Sequence, residues 1–462
     1  MRNRSRGAPQ GSDPPNIVSV ALNDLLYDDR VMRIASTLAT HGARVTALGV
    51  SSERKGWEKS MGETRVRVIG VPFVRFGLAP WVVITGVIMR LSSLLRRGQP
   101  GAMRRQLLRR LSSVLERLER FSVRLGERAR GRRWRTAHAR LSKELTALNP
   151  SAIHANDAEG LAAAVTARRS LDDGPVIVYD AHEWTAGRDT YTVPPPGVPS
   201  ELELEQEFIG EADAVVTVTG RIAEMLQSRY QLPSAPGVLH NAPLLSWREI
   251  EAPSLRDLAQ APDGCPLLVY VGGIAPIRGI LDVVAALPLL PPEVRFAALG
   301  MGTAASKEEV RQVAAGHGVS ERVHLVDPVR PEQIVPTIRD ATLGLMPFRR
   351  NPNYDLAMPN KLFQYLHAGL PMVVSDCRAV AEFVHEHDLG EVFTAEDPSA
   401  LADAVGRALG RIDELRDRAG DPELRREFSW EAQERAVLSV YRRLGVLSPN
   451  RQSGRPDSAL SH

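Results

Sequence analysis

The sequence is poor in cysteine, since its 462 residues include only Cys265 and Cys377. Two cysteines so far apart provide neither a disulfide framework nor the clustered ligands of a zinc site. Asp-x-Asp, Gly-x-Ser-x-Gly and Walker A sequences do not occur either. These absences favour a metal-free mechanism in a reducing compartment, the cytoplasm, and exclude nucleophile-elbow serine hydrolases and P-loop enzymes.

The sequence also lacks long apolar runs and a large excess of one charge. The stretch WVVITGVIM at 81–89 is shorter than the ~20 residues that span a bilayer. The net charge of +3 does not by itself indicate nucleic-acid binding. The polar ends, 1–15 and 449–462, show no signal-peptide core and are predicted to be a disordered N-terminus and a disordered tail.

The remaining composition, 43% hydrophobic and 24% charged, is typical of a globular protein long enough for two domains. Short β-branched runs alternate with helical stretches from residue 16, and the pattern restarts after the polar stretch 246–264. We therefore predict an α/β protein with two doubly wound, Rossmann-like parallel sheets, in domains 16–245 and 246–427. In the first domain the predicted strands are IVSVAL, RVTALGV, VRVIGV, AIHA, VIVYDAH, AVVTVT and GVLHN.

An arginine-rich helical insertion is predicted at about 78–148. Apolar residues recur there at helical spacing, and arginines occupy the other faces of the helices: Leu107, Leu111, Val114, Leu118 and Phe121 form the apolar series. Such a basic amphipathic hairpin suits an anionic membrane surface. It is equally compatible with a solvated hairpin that packs on the first domain.

Two basic residues follow glycine or proline turns at predicted strand ends of the second domain. In GGIAPIRG (272–279), Gly272 and Gly273 allow close approach of the backbone to a ligand, and Arg278 precedes a helix. In MPNKLF, Pro359 is predicted at the first helical position, which leaves the amides from Asn360 onward unpaired beside Lys361. Together these features predict a diphosphate site.

Two further motifs admit more than one interpretation. GMGTAAS places Gly300 and Gly302 in a G-x-G-x-x-A pattern, which fits a dinucleotide or any phosphate or sugar near the backbone. YDAHEW places His182 at the end of a first-domain strand, where it is a candidate catalytic residue or a structural histidine. An NAD(P)-dependent oxidoreductase therefore stays open as an alternative function.

These segments together resemble the GT-B glycosyltransferases of family 4, the retaining, group 1 type. The resemblance rests on VYVGGIAPIRG and MPNKLFQYLHAGLPMVVSD in the second half, and on YDAHEW, ADAVVTVTGRIAEML and VLHNAP in the first. It implies a nucleotide diphosphate sugar as donor, bound by the second domain, and an acceptor (glycan, lipid-linked or small molecule) bound mainly by the first. It also implies a helix at 428–448 that crosses back to the first domain.

The resemblance further implies that Arg278 and Lys361 stabilise the leaving diphosphate and that His182 orients the donor sugar. The family's two glutamates correspond to Leu356 and Gln364 in this chain. Gln364 can still bind ribose hydroxyls, whereas Asp355 is the nearest carboxylate that could substitute at the first position.

Gly273 stands where many members of the family have an arginine. The resemblance implies a hexosyl- or other glycosyltransferase that needs no cofactor. We expect it to be cytoplasmic or peripheral on the inner face of the membrane. A catalytically decayed, membrane-associated scaffold stays open as a second alternative.

Overall fold

The computed structural model describes residues 13–448, except 27, 54, 72–126, 189–193, 195–196 and 276–277. Within these residues the chain forms two lobes, each built on a mostly or wholly parallel sheet flanked by helices. The predicted apolar stretch 81–89 and most of the predicted insertion therefore lie outside the described residues.

The first lobe contains, among the described residues, a sheet in the order β3-β4-β2-β1-β5-β6-β7-β8. Its strands are parallel except for the antiparallel pair of β3 and β4. The strands are β1 (Asn16–Val20), β2 (Arg44–Ser51), β3 (Trp57–Met61), β4 (Thr64–Gly70), β5 (Ala152–Asn156), β6 (Val176–Ala181), β7 (Ala214–Thr217) and β8 (Gly237–Val238). The helices are α1 (Asp29–Thr40), α2 (127–148), α3 (Asp157–Arg168), α4 (Glu201–Phe208) and α5 (Gly220–Tyr230).

The second lobe has a parallel sheet in the order β11-β10-β9-β12-β13-β14 over its described residues. Its strands are β9 (Leu267–Val271), β10 (Arg295–Leu299), β11 (Val323–Val326), β12 (Leu343–Met346), β13 (Met372–Ser375) and β14 (Gly390–Phe393). Its helices are α6 (Leu255–Ala259), α7 (Ile280–Ala286), α8 (Ala304–Gly316), α9 (Ile334–Ile338), α10 (Asn360–Ala368), α11 (Arg378–Glu386), α12 (Pro398–Gly410), α13 (Ile412–Ala419) and α14 (Pro422–Glu427).

Apolar residues of the central strands enter cores on both faces of each sheet. In β9, Leu267 and Val269 belong to one core, whereas Leu268 and Tyr270 belong to the opposite one. Such burial on both faces explains why these strands appear in the sequence as continuous apolar runs.

The last helix, α15 (Trp430–Arg443), crosses from the second lobe back to the first, as predicted. Trp430 and Tyr441 are each 1% exposed and belong to a core of the first lobe. The indole Nε1–H of Trp430 donates to Thr37 Oγ1 at 2.9 Å, and Tyr441 Oη lies 2.9 Å from His154 Nδ1. The helix therefore fixes its end of the chain to the first lobe.

The described end of the predicted insertion is helix α2, which packs on the first lobe. Ala137, Leu141 and Leu145 are buried in the same core as β5 and β6. Arg140 donates to the carbonyl of Gly70 at 2.6 Å. This part of the segment is therefore a packing element.

A candidate donor site between the lobes

A cavity of about 420 Å³ lies between the two lobes, at the carboxyl ends of their strands. Both lobes contribute to its lining, as expected for a ligand site of facing α/β sheets. The predicted site residues that line it are Gly272, Gly273, Arg278, Pro359, Asn360, Lys361 and Gln364 from the second lobe, and His182 from the first.

Lys361 is the most unusual of these residues, because its ammonium group is enclosed by aromatic rings. Its Nζ lies 4.0 Å from the ring centroid of Tyr270 and 4.7 Å from that of Phe348. Burial, and then the nearby positive charge of Arg278, hold the pKa of Lys361 well below its usual range. The charged form of this side chain is therefore poorly solvated and is stabilised most by an anionic ligand.

Arg278 is the second cation of the site, and its guanidinium lies 5.4 Å from the ring centroid of Tyr354. Neither Arg278 nor Lys361 forms an ion pair with a carboxylate among the residues that the structure describes. Two cations without an acidic partner, on one wall of a cavity, create a positive potential that a diphosphate would neutralise.

The start of α10 adds unpaired amides to this wall. The prediction for Pro359 was wrong by one position: with φ −73° and ψ 153° it is the N-cap, and Asn360 is the first helical residue. Its fixed φ fits either position, so only the extended ψ distinguishes them. Pro359 offers no side-chain acceptor. Its carbonyl accepts from Leu362 N–H at 3.0 Å. Within the described part of the chain the amides of Asn360 and Lys361 have no backbone acceptor, so they are available to a ligand.

Gly272 and Gly300 allow the two glycine turns to meet. Gly272 has φ +131°, and a Cβ atom there would lie 3.1 Å from Nζ of Lys361. A Cβ atom on Gly300, at φ +156°, would lie 1.9 Å from the carbonyl oxygen of Gly272. Gly300 thus supports the turn that lines the cavity, although neither it nor Gly302 is among the lining residues.

Asp355 does not face the cavity either. Its carboxylate accepts from Arg350 at 3.2 Å and 3.0 Å, and from the amide of Arg378 at 3.3 Å. Leu356 packs against a core of the first lobe. The cavity therefore has no carboxylate from position 355 or 356 that could bind a donor sugar. Gln364, in contrast, lines the cavity.

On the opposite wall, His182 lies among the carboxylates of the first lobe. Its Nδ1 is 3.5 Å from Asp157 Oδ2, and its Nε2 is 3.3 Å from Asn156 Oδ1 and 3.6 Å from Asp180 Oδ2. Burial alone would lower the pKa of His182, but Asp157 and Asp180 raise it to about 9. The ring is therefore an imidazolium at neutral pH, with both N–H groups directed at protein acceptors.

A buried ion pair supports this wall from below. Arg30 and Asp180 are 2% and 0% exposed and form two hydrogen bonds of 2.8 Å. Burial opposes the ionisation of Asp180, but Arg30 and then His182 hold its pKa well below the usual range. The pair fixes the end of β6, from which His182 projects.

Several residues of the site could not be predicted from local sequence patterns. Tyr270 reads as an ordinary strand residue, and the partners Arg30 and Asp180 are 150 positions apart. The aromatic residues around the cations, Tyr270, Phe348 and Tyr354, had no local signal.

Comparison with known proteins agrees with this architecture. Residues 265–411 match the family model "Glycosyl transferases group 1", and residues 104–242 match "Glycosyltransferase Family 4". Together the two models span more than half of the chain. The chain therefore belongs to the GT-B glycosyltransferases and is similar to family 4. The first model includes Gly300 and Gly302, which decides against the oxidoreductase interpretation of their turn.

A D-inositol 3-phosphate glycosyltransferase of Xylanimonas cellulosilytica is 26% identical over 250 residues, which is 51% of this chain and 58% of that relative. Sucrose-phosphate synthase from Thermosynechococcus elongatus is similar in fold, with a TM-score of 0.62 and 15% identity over 93% of this chain and 99% of its own. HepE of Anabaena, solved in complex with UDP and glucose, has a TM-score of 0.57 and 13% identity over 93% of this chain and 100% of its own.

Proposed function

We propose that the protein transfers a sugar from a nucleoside diphosphate sugar to an acceptor, with retention at the anomeric carbon and without a metal ion. The observation that carries the proposal is the convergence of Arg278, Lys361 and the open start of α10 on the interlobe cavity. The fold neighbour solved with UDP and glucose is consistent with such a donor.

In the proposed reaction the bond between the anomeric carbon and the diphosphate oxygen breaks, and the electron pair leaves with the diphosphate. Arg278 and Lys361 stabilise the charge that develops there, a preorganised electrostatic effect that contributes several kcal/mol in other enzymes. The acceptor hydroxyl bonds to the anomeric carbon on the face that the diphosphate leaves, and its proton passes to a diphosphate oxygen. Protein cations thus fill the role that a bound metal has elsewhere.

The role of His182 in orienting the donor sugar stays a prediction. Its positive charge faces the cavity, while its N–H groups face Asp157, Asn156 and Asp180. We infer that His182 orients the donor sugar through its positive charge and through the shape that its ring gives to this wall of the cavity.

Thermal unfolding in the presence of UDP, GDP, ADP or NADH tests the proposal. A nucleoside diphosphate at 100 times its Kd stabilises the folded state by about 2.7 kcal/mol. We expect at least one nucleoside diphosphate to raise the Tm, and NADH to leave it unchanged. The proposal fails if NADH alone stabilises the protein.

We propose that the first lobe binds the acceptor, which is a glycan, a lipid-linked sugar or a small molecule. The name of the Xylanimonas relative makes D-inositol 3-phosphate one acceptor to test. Release of nucleoside diphosphate from UDP-glucose or GDP-mannose, with and without each acceptor, distinguishes these classes. Acceleration by one class identifies it.

A second part of the proposal is that the arginine-rich segment docks the first lobe on an anionic membrane. The part of the chain that the structure describes contains no helix with both the length and the apolar character needed to cross a bilayer. The docking proposal rests on sequence, since its arginines lie outside the described residues: Arg96, Arg97, Arg104, Arg105, Arg109 and Arg110.

Co-sedimentation with anionic and neutral vesicles tests this docking. The parent is expected to bind anionic vesicles in low salt, and a variant with the six arginines changed to glutamine is expected to stay in solution. Equal binding of the parent to both vesicle types, or to neither, contradicts electrostatic docking.

A further inference from the structure

The turn that precedes α10 is joined to the first lobe through the buried side-chain amide of Asn353. The side chain of Asn353 accepts from Trp184 N–H at 2.9 Å through Oδ1 and donates to Glu183 Oε2 at 3.4 Å through Nδ2. Its backbone N–H donates to the carbonyl of Gly187 at 3.0 Å. Asn353 is only 2% exposed. We propose that Asn353 is a positioning residue, which holds the His182 wall in register with the Lys361 wall.

The packing around this amide shows a close approach of the two lobes. A Cβ atom on Gly187 would lie 2.2 Å from Trp184 Cδ1 and 2.9 Å from the backbone nitrogen of Asn353. An asparagine supplies an acceptor and a donor at once, whereas an aspartate of the same shape supplies acceptors alone. The residue type therefore matches its two partners on the first lobe.

On the second lobe, Asn353 is connected to both cations through aromatic contacts. The next residue, Tyr354, stacks on Phe348 with ring centroids 4.8 Å apart and lies beside the Arg278 guanidinium. Phe348 in turn contacts the Lys361 ammonium group. These contacts connect the turn of Asn353 to the rings that surround the diphosphate site.

On the first lobe, the partners of Asn353 follow His182 directly in the chain. Glu183 and Trp184 are the next two residues, and Glu183 also lines the cavity. A second bond between the lobes, from Thr219 Oγ1 to the carbonyl of Leu356 at 3.0 Å, ends the same turn. The turn 353–356 thus bonds to the first lobe at both of its ends.

The kinetic part of this inference rests on the proposed function, whereas the structural part can be tested by itself. UDP would contact residues of the second lobe, so Asn353→Ala should leave its Kd within about threefold of the parent value. The same variant should lower kcat for release of UDP from UDP-glucose at least tenfold, because the two walls are no longer in register. Asn353→Asp, which keeps the shape and the acceptor for Trp184, should also lower kcat, since its charge would repel Glu183.

A rescue variant separates positioning from stability. Combining Asn353→Asp with Glu183→Gln restores a donor opposite an acceptor, and its kcat should exceed that of Asn353→Asp alone. The control is Arg221→Ala, which removes an exposed ion pair between the lobes, Arg221 with Glu382. Its kcat should equal that of the parent, because exposed pairs contribute little.

The distance between the lobes provides the second measurement. Cys265 and Cys377 are buried, so spin labels can be placed selectively at the exposed positions 225 and 289 by Met225→Cys and Leu289→Cys. Without nucleotide, Asn353→Ala should add a population with longer distances, even if the parent does not cleave UDP-glucose. The proposal is overturned if both Asn353 variants show the same distances as the parent. It is also overturned if the parent cleaves UDP-glucose and both variants do so with the same kcat.

Discussion

Replacing Lys361 by methionine separates the binding role of its charge from its packing role. The methionine side chain is close in length and can occupy the space between Tyr270 and Phe348, where sulfur and aromatic rings make favourable contacts. The substitution removes one positive charge from the proposed diphosphate site and leaves Arg278 in place.

The expected loss of affinity follows from the strength of a hydrogen bond between charged groups, about 1.5–3 kcal/mol. Lys361→Met should therefore weaken the binding of UDP or GDP roughly 10- to 150-fold. The free energy of unfolding of Lys361→Met should be equal to or higher than that of the parent. The lowered pKa of Lys361 shows that its surroundings disfavour the charged form, with burial as the main cause. Methionine carries no charge, so the variant avoids the cost of burying the charged form.

Calorimetric titration with UDP and GDP, together with thermal unfolding at pH 7, measures both effects. Lys59→Met is a matched control, because Lys59 also lies near an aromatic ring, Trp57 at 5.6 Å, but on an exposed edge strand. Lys59→Met should change neither the affinity for UDP and GDP nor the unfolding temperature. If Lys361→Met binds both nucleotides as tightly as the parent and unfolds at a lower temperature, Lys361 is a purely structural residue and the assigned binding role is wrong.

The remaining predictions concern His182, Arg30 and metal ions. Because its folded pKa of about 9 exceeds the ordinary value of 6.5, charged His182 contributes about 3 kcal/mol of stability below pH 6.5. This contribution is lost as pH rises through 9, so urea unfolding of His182→Asn should differ most from the parent at low pH; a pH-independent difference contradicts it. Arg30→Met leaves Asp180 buried without its main partner and should cost about 3–5 kcal/mol in urea unfolding; a loss below about 1 kcal/mol contradicts the pairing. Transfer should persist in excess EDTA, and activity that returns only with added Mg²⁺ or Mn²⁺ contradicts the proposed chemistry.

Much of the fold was predictable because its central strands are buried on both faces and several of them, such as β9, appear as apolar runs. The edge strand β3 was missed, since Trp57–Met61 is polar and mostly exposed. It is recognisable only through its antiparallel pairing with β4.

Arg278 and Lys361, which line the cavity, could be selected from the sequence because glycine and proline turns before helices are local signals. Asn353 was missed, because it bonds to a residue 169 positions away in the chain. Asp355 was selected by its place beside Leu356, but its carboxylate is occupied by Arg350. A residue type at a turn can be recognised in the sequence. Its hydrogen-bond or ion-pair partner in the folded protein cannot, because that partner is brought near only by folding.

The most direct test of the central claim is a crystal structure of the protein with the nucleoside diphosphate that stabilises it most. We expect diphosphate oxygens within hydrogen-bonding distance of the Lys361 ammonium group, the Arg278 guanidinium and the amides of Asn360 and Lys361. A diphosphate bound elsewhere, with the interlobe cavity still empty, would contradict the assignment of the donor site.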